Sequence, residues 1–421
     1  MDVFCIFVAA LIVLRAVVSV ILDTLHRNYA LAHSDSLPRG MDGFIDMETF
    51  AKSVRYTTVT SRYLSFEIIY ESAFLAFFLF SGVLPWLYRE LGSVFGFGIF
   101  GQAAILIVVG VLLDIPDLPV DWWHTFRIEE SFGFNKSTKK LWIADKLKGV
   151  IVSGALMYPL LCLLLLIVRL PFWWVWGFAC MLLFQLVLMV VYPMWIMPLF
   201  NKFSLLPDGE LKERLLSLAQ RTGFYVKTIF VMDGSKRSGH SNAFFTGMGK
   251  SRRVVLFDTL VEQLTPDELE AVLAHEIGHY KLGHIPKMLA ATALLTFCAF
   301  ALIGWLAASA WFVNSFGFSY DPARLAPVLL LFGLLGGLVT FWLTPLGAMF
   351  SRKHEYQADA FSLHAMQNDP RPLISALRKL HTKNLGNLVP HPLYSAFHYS
   401  HPTLPEREAA LNSAAAKRGA E

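Results

Sequence analysis

Long apolar blocks alternate with polar connections along this chain of 421 residues. Seven of the blocks reach the roughly 20 residues that a helix needs to cross a hydrocarbon layer about 30 Å thick. The pattern therefore predicts an all-α polytopic membrane protein. The first block carries Arg15 in its middle and has no short basic segment or cleavage site, so we interpret it as a retained helix rather than a signal peptide. The predicted spans are 3–22, 66–88, 92–113, 150–168, 171–193, 287–312 and 326–350.

The connections between these spans differ in their basic residues. The short ones carry one Lys or Arg each, whereas the long ones and the tail hold nearly all the rest. Because basic connections stay in the cytosol, the pattern predicts cytosolic long segments and an external amino terminus. The predicted regions are 1–193 with five spans and cytosolic loops, 194–286 as a cytosolic segment, 287–350 with two spans, and 351–421 as a cytosolic carboxyl-terminal segment.

Composition narrows the function classes. Hydrophobic residues make up 55% of the chain and charged residues 16%, whereas soluble domains have about 45–50% and 25%. A net charge of +4 gives no reason to expect a nucleic-acid partner, and the expected surroundings are membrane lipid. The cysteines lie in apolar blocks without Cys-x-x-Cys spacing, which argues against a disulfide framework and a thiolate metal site. They are Cys5, Cys162, Cys180 and Cys298.

A helix is predicted to begin at residue 266, in the cytosolic segment 194–286. Thr265 is a good N-cap, Pro266 suits the first helical position, and Glu268 completes a capping box. Apolar residues then recur at helical spacing from Leu269 to Ile277.

This predicted helix carries the motif His-Glu-x-x-His. His275 and His279 are four residues apart and share one face, so both imidazoles can bind one zinc ion. Glu276 is turned about 100° from His275, where it can act as a general base on a zinc-activated water without binding the metal. Such a short motif also occurs by chance, and the predicted helix is the context that favours a zinc site.

A catalytic zinc site needs a third protein ligand. Gly283 and His284 miss the metzincin register by one residue, so that pattern does not supply it. Glu355, on a helix predicted to follow the last span, can bind the metal, and Asp359 four residues later can orient an imidazole from behind. A solvated acidic face is the alternative interpretation of this pair. His354 is a rival ligand that points about 100° away from Glu355.

Several ordered segments resemble the integral-membrane CAAX prenyl proteases, which are zinc endopeptidases with seven spanning helices. The agreement extends over most of the chain and is more specific than the zinc motif alone. The matching segments are Phe-Gly-Phe-Asn-Lys at 132–136, Pro-Leu-Phe-Asn-Lys-Phe at 198–203, Asn-Ala-Phe-Phe at 242–245, Val-Leu-Phe-Asp-Thr-Leu at 255–260, both zinc segments, Ser-His-Pro-Thr at 400–403 and Glu-Arg at 406–407.

The resemblance implies roles for individual residues. It implies that one Zn²⁺ per chain is bound by His275, His279 and Glu355, and that Glu276 is the general base and acid. It implies that Asn242, Ala243, Phe244 and Phe245 form an extended edge that pairs with the substrate backbone. His401 and Arg407 are expected to reach the active site and to stabilise the oxyanion or hold a substrate carboxylate. A capped surface helix at 404–412 is the alternative interpretation of the last two residues.

The resemblance also implies the architecture and activity. We expect seven spanning helices that enclose a chamber, with a mainly helical cytosolic zinc-peptidase region and a short β edge. The predicted function is cleavage near the carboxyl end of peptides that are prenylated at a CaaX cysteine or otherwise hydrophobic. The alternatives are a heat-shock-type quality-control metalloprotease and a non-proteolytic protein that handles lipids or peptides. Because the chain lacks an endoplasmic-reticulum retrieval signal, a bacterial inner membrane is the expected location.

Overall fold

Helices dominate the protein because a chain inside a bilayer must satisfy its backbone hydrogen bonds within itself. The computed structural model describes residues 2–38, 40–41, 43–246 and 253–418. Within these ranges, seven helical segments are long and apolar enough to cross a membrane, which confirms the predicted fold class. They are Val3–Ala32, Met47–Phe80, Ile99–Phe132, Lys139–Ile167, Trp173–Phe200, His284–Ala307 and Ala326–Ala365.

The secondary structure follows the chain in this order. The helices are α1 Val3–Ala32, α2 Met47–Phe80, α3 Val83–Phe95, α4 Ile99–Asp114, α5 Leu118–Trp123, α6 Glu130–Phe132, α7 Lys139–Ile167, α8 Trp173–Val191, α9 Met197–Phe200, α10 Glu210–Arg221, α11 Asp258–Gln263, α12 Pro266–Lys281, α13 His284–Ala307, α14 Ala310–Ser315, α15 Ala326–Ala365, α16 Arg371–Lys383, α17 Pro392–His398 and α18 Leu404–Arg418. The strands are β1 Phe203–Leu205, β2 Thr228–Met232, β3 Ala243–Thr246 and β4 Arg253–Phe257. Turns of π-helix occupy His124–Glu129 and Tyr192–Ile196.

The second span differs from its predicted limits of 66–88. Helix α2 begins at Met47 and ends at Phe80, and α3 begins at Val83. Gly82, between them, has a φ of 80°, a left-handed conformation that ends the helix. The apolar block continues across this break, so hydropathy alone could not locate it.

The spanning helices leave much of their surface uncovered by protein. Only 6% of the most apolar stretch of α2 is buried, and 33% of the corresponding stretch of α15. A closely packed bundle would bury a broad stripe on every helix. Helices that enclose a chamber keep both their lipid side and their chamber side uncovered, which agrees with the predicted architecture.

A four-stranded sheet forms the β part of the polar region, with strand order β1-β2-β4-β3. Strands β2 and β4 are parallel, and β3 pairs antiparallel with β4 at the edge of the sheet. The sheet packs on α10 and α12 through a core that includes Leu215, Ile229, Leu256 and Ile277, each at most 2% exposed. This core fixes α12, the helix that carries the histidine motif.

The predicted start of α12 is confirmed. The Thr265 backbone N–H donates to Glu268 Oε2 at 2.8 Å, and the Glu268 N–H donates to Thr265 Oγ1 at 3.4 Å. This capping box and Pro266 satisfy the helix start as the sequence predicts.

Helix α15 runs unbroken from the membrane into the polar region over 40 residues. It crosses α12 at Gly278, where an added Cβ would lie 3.1 Å from Ala358 Cα and 3.0 Å from Phe361 Cβ. Only glycine lets the two helices approach this closely. The crossing brings the histidines of α12 against the acidic residues of α15. The division into four regions stays an interpretation of the sequence.

Candidate metal centre

Three side chains converge where α12 crosses α15. Nε2 of His275 lies 3.1 Å from Nε2 of His279 and 3.4 Å from Oε2 of Glu355, and Nε2 of His279 lies 3.2 Å from Oε1 of Glu355. Ligands of a tetrahedral zinc ion, with bonds of about 2.0–2.1 Å, lie about 3.3 Å apart. Glu355 Oε2 is buried and has no hydrogen-bond partner among the described residues. The donor set and its spacing therefore fit one metal ion of this size.

The first imidazole is held from behind by a buried carboxylate. Nδ1 of His275 donates to Asp359 Oδ1 at 2.8 Å, which leaves Nε2 free to bind a metal. Asp359 in turn accepts from Arg407, with 2.8 Å from Nε to Oδ2 and 2.5 Å from Nη2 to Oδ1. Asp359 is 1% exposed and Arg407 7%. The fork of Arg407 thus neutralises the buried carboxylate that orients His275.

The imidazole of His279 is oriented by His284, a residue without a predicted role. Nδ1 of His279 lies 3.1 Å from Nδ1 of His284, and Nε2 of His284 lies 2.9 Å from Oε1 of Gln357. Because the Gln357 oxygen can only accept, His284 donates from Nε2 and accepts at Nδ1. His279 must then donate from Nδ1, so its Nε2 lone pair faces the cluster.

His354, the rival ligand, lies outside the cluster. Its ring stacks on His284 with centroids 4.1 Å apart and planes 12° apart. Among the residues that the structure describes, the group able to hold a metal consists of His275, His279 and Glu355.

Glu276 lies beside this group on α12. Within the described chain its carboxylate forms no hydrogen bond, so both oxygens are available to a water molecule. Burial raises the pKa of this carboxyl group, and the two neighbouring histidines partly oppose the rise. A raised pKa suits a group that takes up and returns a proton near neutral pH.

His401 and Arg407 approach the cluster from the carboxyl-terminal segment. Nε2 of His401 lies 3.5 Å from Oε1 of Glu355, and 62% of its side chain is exposed. Nη1 of Arg407 lies 3.8 Å from Oε2 of Glu355. Both residues line a cavity of about 330 Å³. The capped helix expected here also exists, because Thr403 donates to Glu406 at 2.8 Å at the start of α18.

The segment 242–245 leads into β3 and forms most of it. Ala243 pairs with Leu256, and Phe245 pairs with Val254. No strand of the described ranges pairs with the other side of β3. Its free edge presents unpaired backbone groups beside α12, which is the geometry required for strand addition by a peptide.

Comparison with known proteins covers nearly the whole chain. Residues 26–202 match the family described as CAAX prenyl protease N-terminal, five membrane helices, and residues 205–415 match peptidase family M48. The chain is 39% identical over 429 residues to CAAX prenyl protease 1 of Saccharomyces cerevisiae, covering 93% of this chain and 92% of that protein. It is 32% identical to the CAAX prenyl protease 1 homolog of Homo sapiens, covering 90% of this chain and 89% of that protein.

The crystal structure of S. mikatae Ste24p has the same fold. Its TM-score against this protein is 0.90 at 34% identity, over 98% of this chain and 100% of that one. These likenesses confirm the family resemblance that the sequence motifs predict. The chain is therefore a metal-dependent peptidase of the membrane and belongs to peptidase family M48, in the group of CAAX prenyl proteases.

Proposed function

We propose that the protein is a zinc endopeptidase that cleaves near the carboxyl end of prenylated CaaX peptides or other hydrophobic peptides. The observation that carries this proposal is the spacing of His275, His279 and Glu355, which matches three corners of a tetrahedral zinc site. The name of the yeast and human relatives supports the substrate class.

Glu276 is the proposed general base and acid. Zinc, when bound, supplies a Lewis acid that polarises the substrate carbonyl and makes a bound water more acidic. Glu276 removes a proton from the attacking water and returns it to the nitrogen of the departing amine. Its unpaired carboxylate, half-buried next to both histidines, supports this role.

His401 and Arg407 are proposed to act beside the cluster, where both approach Glu355. The exposed His401 is placed to donate to the oxyanion or to a substrate carboxylate. Arg407 is engaged by Asp359, and we infer that it supports the site mainly by holding that carboxylate. The free edge of β3 is proposed to pair with the substrate backbone at 242–245.

We also propose a membrane location and an orientation for the chain. The basic connections support a cytosolic metal site, an external amino terminus and contact with membrane lipid. The bacterial inner membrane stays a prediction, and the relatives named above are eukaryotic and give it no support. The match of residues 26–202 to the five-helix amino-terminal family of CAAX prenyl proteases disfavours a heat-shock-type peptidase.

The test is cleavage of a farnesylated CaaX peptide by purified protein, with zinc content measured by mass spectrometry. Glu276→Gln should retain zinc and lose roughly 10²–10⁴-fold in kcat, the usual contribution of a general base. Removal of zinc by a chelator should abolish cleavage, and added zinc should restore it. Glu262→Gln, an exposed position on α11, is the matched control and should cleave normally. Undiminished cleavage by Glu276→Gln would contradict the mechanism.

A further inference from the structure

The segment that leads into β3 is fastened to the amino-terminal membrane region. The Gly239 N–H donates to the Phe134 carbonyl at 2.9 Å, and the Lys136 N–H donates to the Arg237 carbonyl at 3.1 Å. The Arg237 side chain forms two hydrogen bonds with Asp145, at 2.8 and 3.1 Å. The Phe-Gly-Phe-Asn-Lys segment at 132–136 thus serves as a support for the chain that precedes β3.

His240 lies at the centre of this support. Its Nε2 is 3.3 Å from Glu129 Oε2, its Nδ1 is 3.1 Å from Asn384 Oδ1, and Phe134 stacks on its ring with centroids 4.2 Å apart. A neutral imidazole has one N–H and can donate to only one of these two acceptors, whereas an imidazolium donates to both. His240 therefore joins the membrane region, the carboxyl-terminal segment and the chain before β3.

Other groups complete the surroundings of this histidine. The Tyr56 hydroxyl donates to Glu129 Oε1 at 2.7 Å, and Nε2 of His124 lies 3.8 Å from the same oxygen. Thr259, at the start of α11, donates its hydroxyl to the His240 carbonyl at 3.1 Å. The Glu129 carboxylate is the one full negative charge among these partners, and its hydrogen bond raises the pKa of His240 above the ordinary value.

Strand β3 begins three residues after His240, and hydrogen bonds hold the residue just before the strand. The Phe257 N–H donates to the Asn242 carbonyl at 3.0 Å, and the Ala243 N–H is held by Asn242 Oδ1 at 2.8 Å. The residue-by-residue pairing of β3 with β4 begins at Ala243. A shift of His240 would therefore displace the start of the free edge.

We propose that His240, clamped between Glu129 and Asn384, is a positioning residue that sets β3 for pairing with the substrate backbone. The inference rests on the proposed function, in which the edge of β3 receives the substrate. It assigns a role to a histidine, a glutamate and an asparagine that lie far apart in sequence and outside the metal cluster. His240 acts on substrate binding, and the metal site does not depend on it.

The clamp has a defined pH dependence. Because the pKa of His240 is raised, its charge-assisted hydrogen bond to Glu129 is present at low pH and weakens as pH rises through that raised pKa. The Michaelis constant KM should then rise with pH while zinc remains bound. Glu129→Gln removes the charge that raises the pKa, so the rise in KM should begin at lower pH in that variant.

The experiment compares His240→Gln, Glu129→Gln and the double variant on two peptides. One peptide is long enough to lie along β3, and the other is truncated so that it ends at the metal site. For the long peptide, KM should rise roughly tenfold in each single variant, as expected for loss of a charge-assisted contact, with kcat within about twofold of the parent protein. The double variant should be no worse than either single one, because the two residues act as a unit. His364→Gln, an exposed position on α15, is the matched control.

Hydrogen exchange at residues 243–246 gives a readout that does not depend on cleavage. Exchange of these amides should accelerate in both single variants while zinc content stays constant. Unchanged exchange, or equal losses on the long and short peptides, would overturn the positioning role. Failure of the unmodified protein to cleave any peptide would instead count against the proposed function, and the exchange rates would still decide whether the clamp holds β3.

Discussion

The spanning helix α8 and the motif helix α12 differ sharply in how protein covers them. Of the 19 residues of α8, only Gly177 is buried, whereas nine of the 16 residues of α12 are buried. Over most of α8 the sequence needs only to be apolar and helical, because lipid and the chamber meet most of its surface. Gly177 is the exception, since an added Cβ there would meet Phe300 at 2.7 Å. In α12 more than half of the positions are enclosed by neighbouring protein.

Contacts that require particular residues are therefore concentrated where α12 crosses α15, rather than on a spanning helix such as α8. The metal cluster forms where α12 and α15 cross, and most of its polar side chains are buried there and held by other polar side chains. A substitution there changes partners that cannot be replaced by water. The same substitution on a spanning helix changes a surface of which most is uncovered by protein. Pairs of matched substitutions can therefore test the contrast.

The largest effect is expected at Asp359. In Asp359→Asn, the amide NH₂ must face a donor, either Arg407 or His275, because both carboxylate oxygens now accept hydrogen bonds. The buried Arg407 also loses its main counter-charge. We expect zinc affinity to fall roughly 10–100-fold and the free energy of unfolding to fall by about 3–5 kcal/mol. Zinc competition with a chelator and thermal unfolding measure the two effects.

The matched control for Asp359 is an exposed pair of the same chemistry. Asp369 accepts two hydrogen bonds from the Arg371 side chain and a third from its backbone N–H. The Arg371 side chain is 86% exposed, whereas that of Arg407 is 9% exposed. Asp369→Asn should cost about 0–1 kcal/mol and leave zinc binding unchanged. Equal effects of the two substitutions would show that burial does not distinguish these pairs.

The next effect is expected at Gly278. In Gly278→Ala the new Cβ meets Ala358 and Phe361 at 3.0–3.2 Å, which forces α12 and α15 apart. We expect a loss of about 1–3 kcal/mol in the free energy of unfolding, as for an overpacked core, together with weaker zinc binding. Thermal unfolding and zinc titration measure both.

Gly154 provides the same substitution in a spanning helix. It lies in α7, and an added Cβ meets nothing within 4 Å. Because alanine favours a helix over glycine, Gly154→Ala should leave stability unchanged or raise it by up to about 1 kcal/mol. A stable, active Gly278→Ala protein would show that the helix crossing is looser than its contacts indicate.

Local signals in the sequence predicted a large part of this architecture. The apolar blocks predicted seven spans, Thr265 and Glu268 predicted the start of α12, and the family resemblance is confirmed. The spacing of Glu355 and Asp359 predicts that both lie on one face of α15, and in the structure Asp359 accepts a hydrogen bond from His275. The spans, the helix start and the shared face of Glu355 and Asp359 each depend on residues that are close together in the sequence.

The features that the sequence did not supply depend on contacts between distant residues. Gln357 lies 73 positions from His284, and His240 lies 111 positions from Glu129. No periodicity links such pairs, because only the folded topology brings them together. His284 had one local signal, its place five residues after His279. That place suits no known ligand pattern, so the sequence alone predicts no role for His284.

The smallest effect is expected in the chain from Gln357 through His284 to His279. Gln357→Leu removes the acceptor that fixes the tautomer of His284, so His279 Nδ1 loses its assured partner. Zinc affinity should fall roughly tenfold, which is the lower limit usually found when a group that hydrogen-bonds a metal ligand is replaced. The unfolding temperature should change little. His284→Phe keeps the stacking on His354 and removes the acceptor directly, so it should weaken zinc binding at least as much.

Gln185 is the matched position in a spanning helix. Its Oε1 is buried and has no hydrogen-bond partner in the part of the chain that the structure describes. Gln185→Leu removes this unsatisfied carbonyl and should leave the protein equally or more stable. The same change of glutamine to leucine would then weaken zinc binding at the crossing and leave it intact in the span. If Gln357→Leu and His284→Phe both bind zinc as tightly as the parent protein, His279 is oriented by α12 alone. The contrast between the two regions would in that case rest on the support of His275 by Asp359 and Arg407.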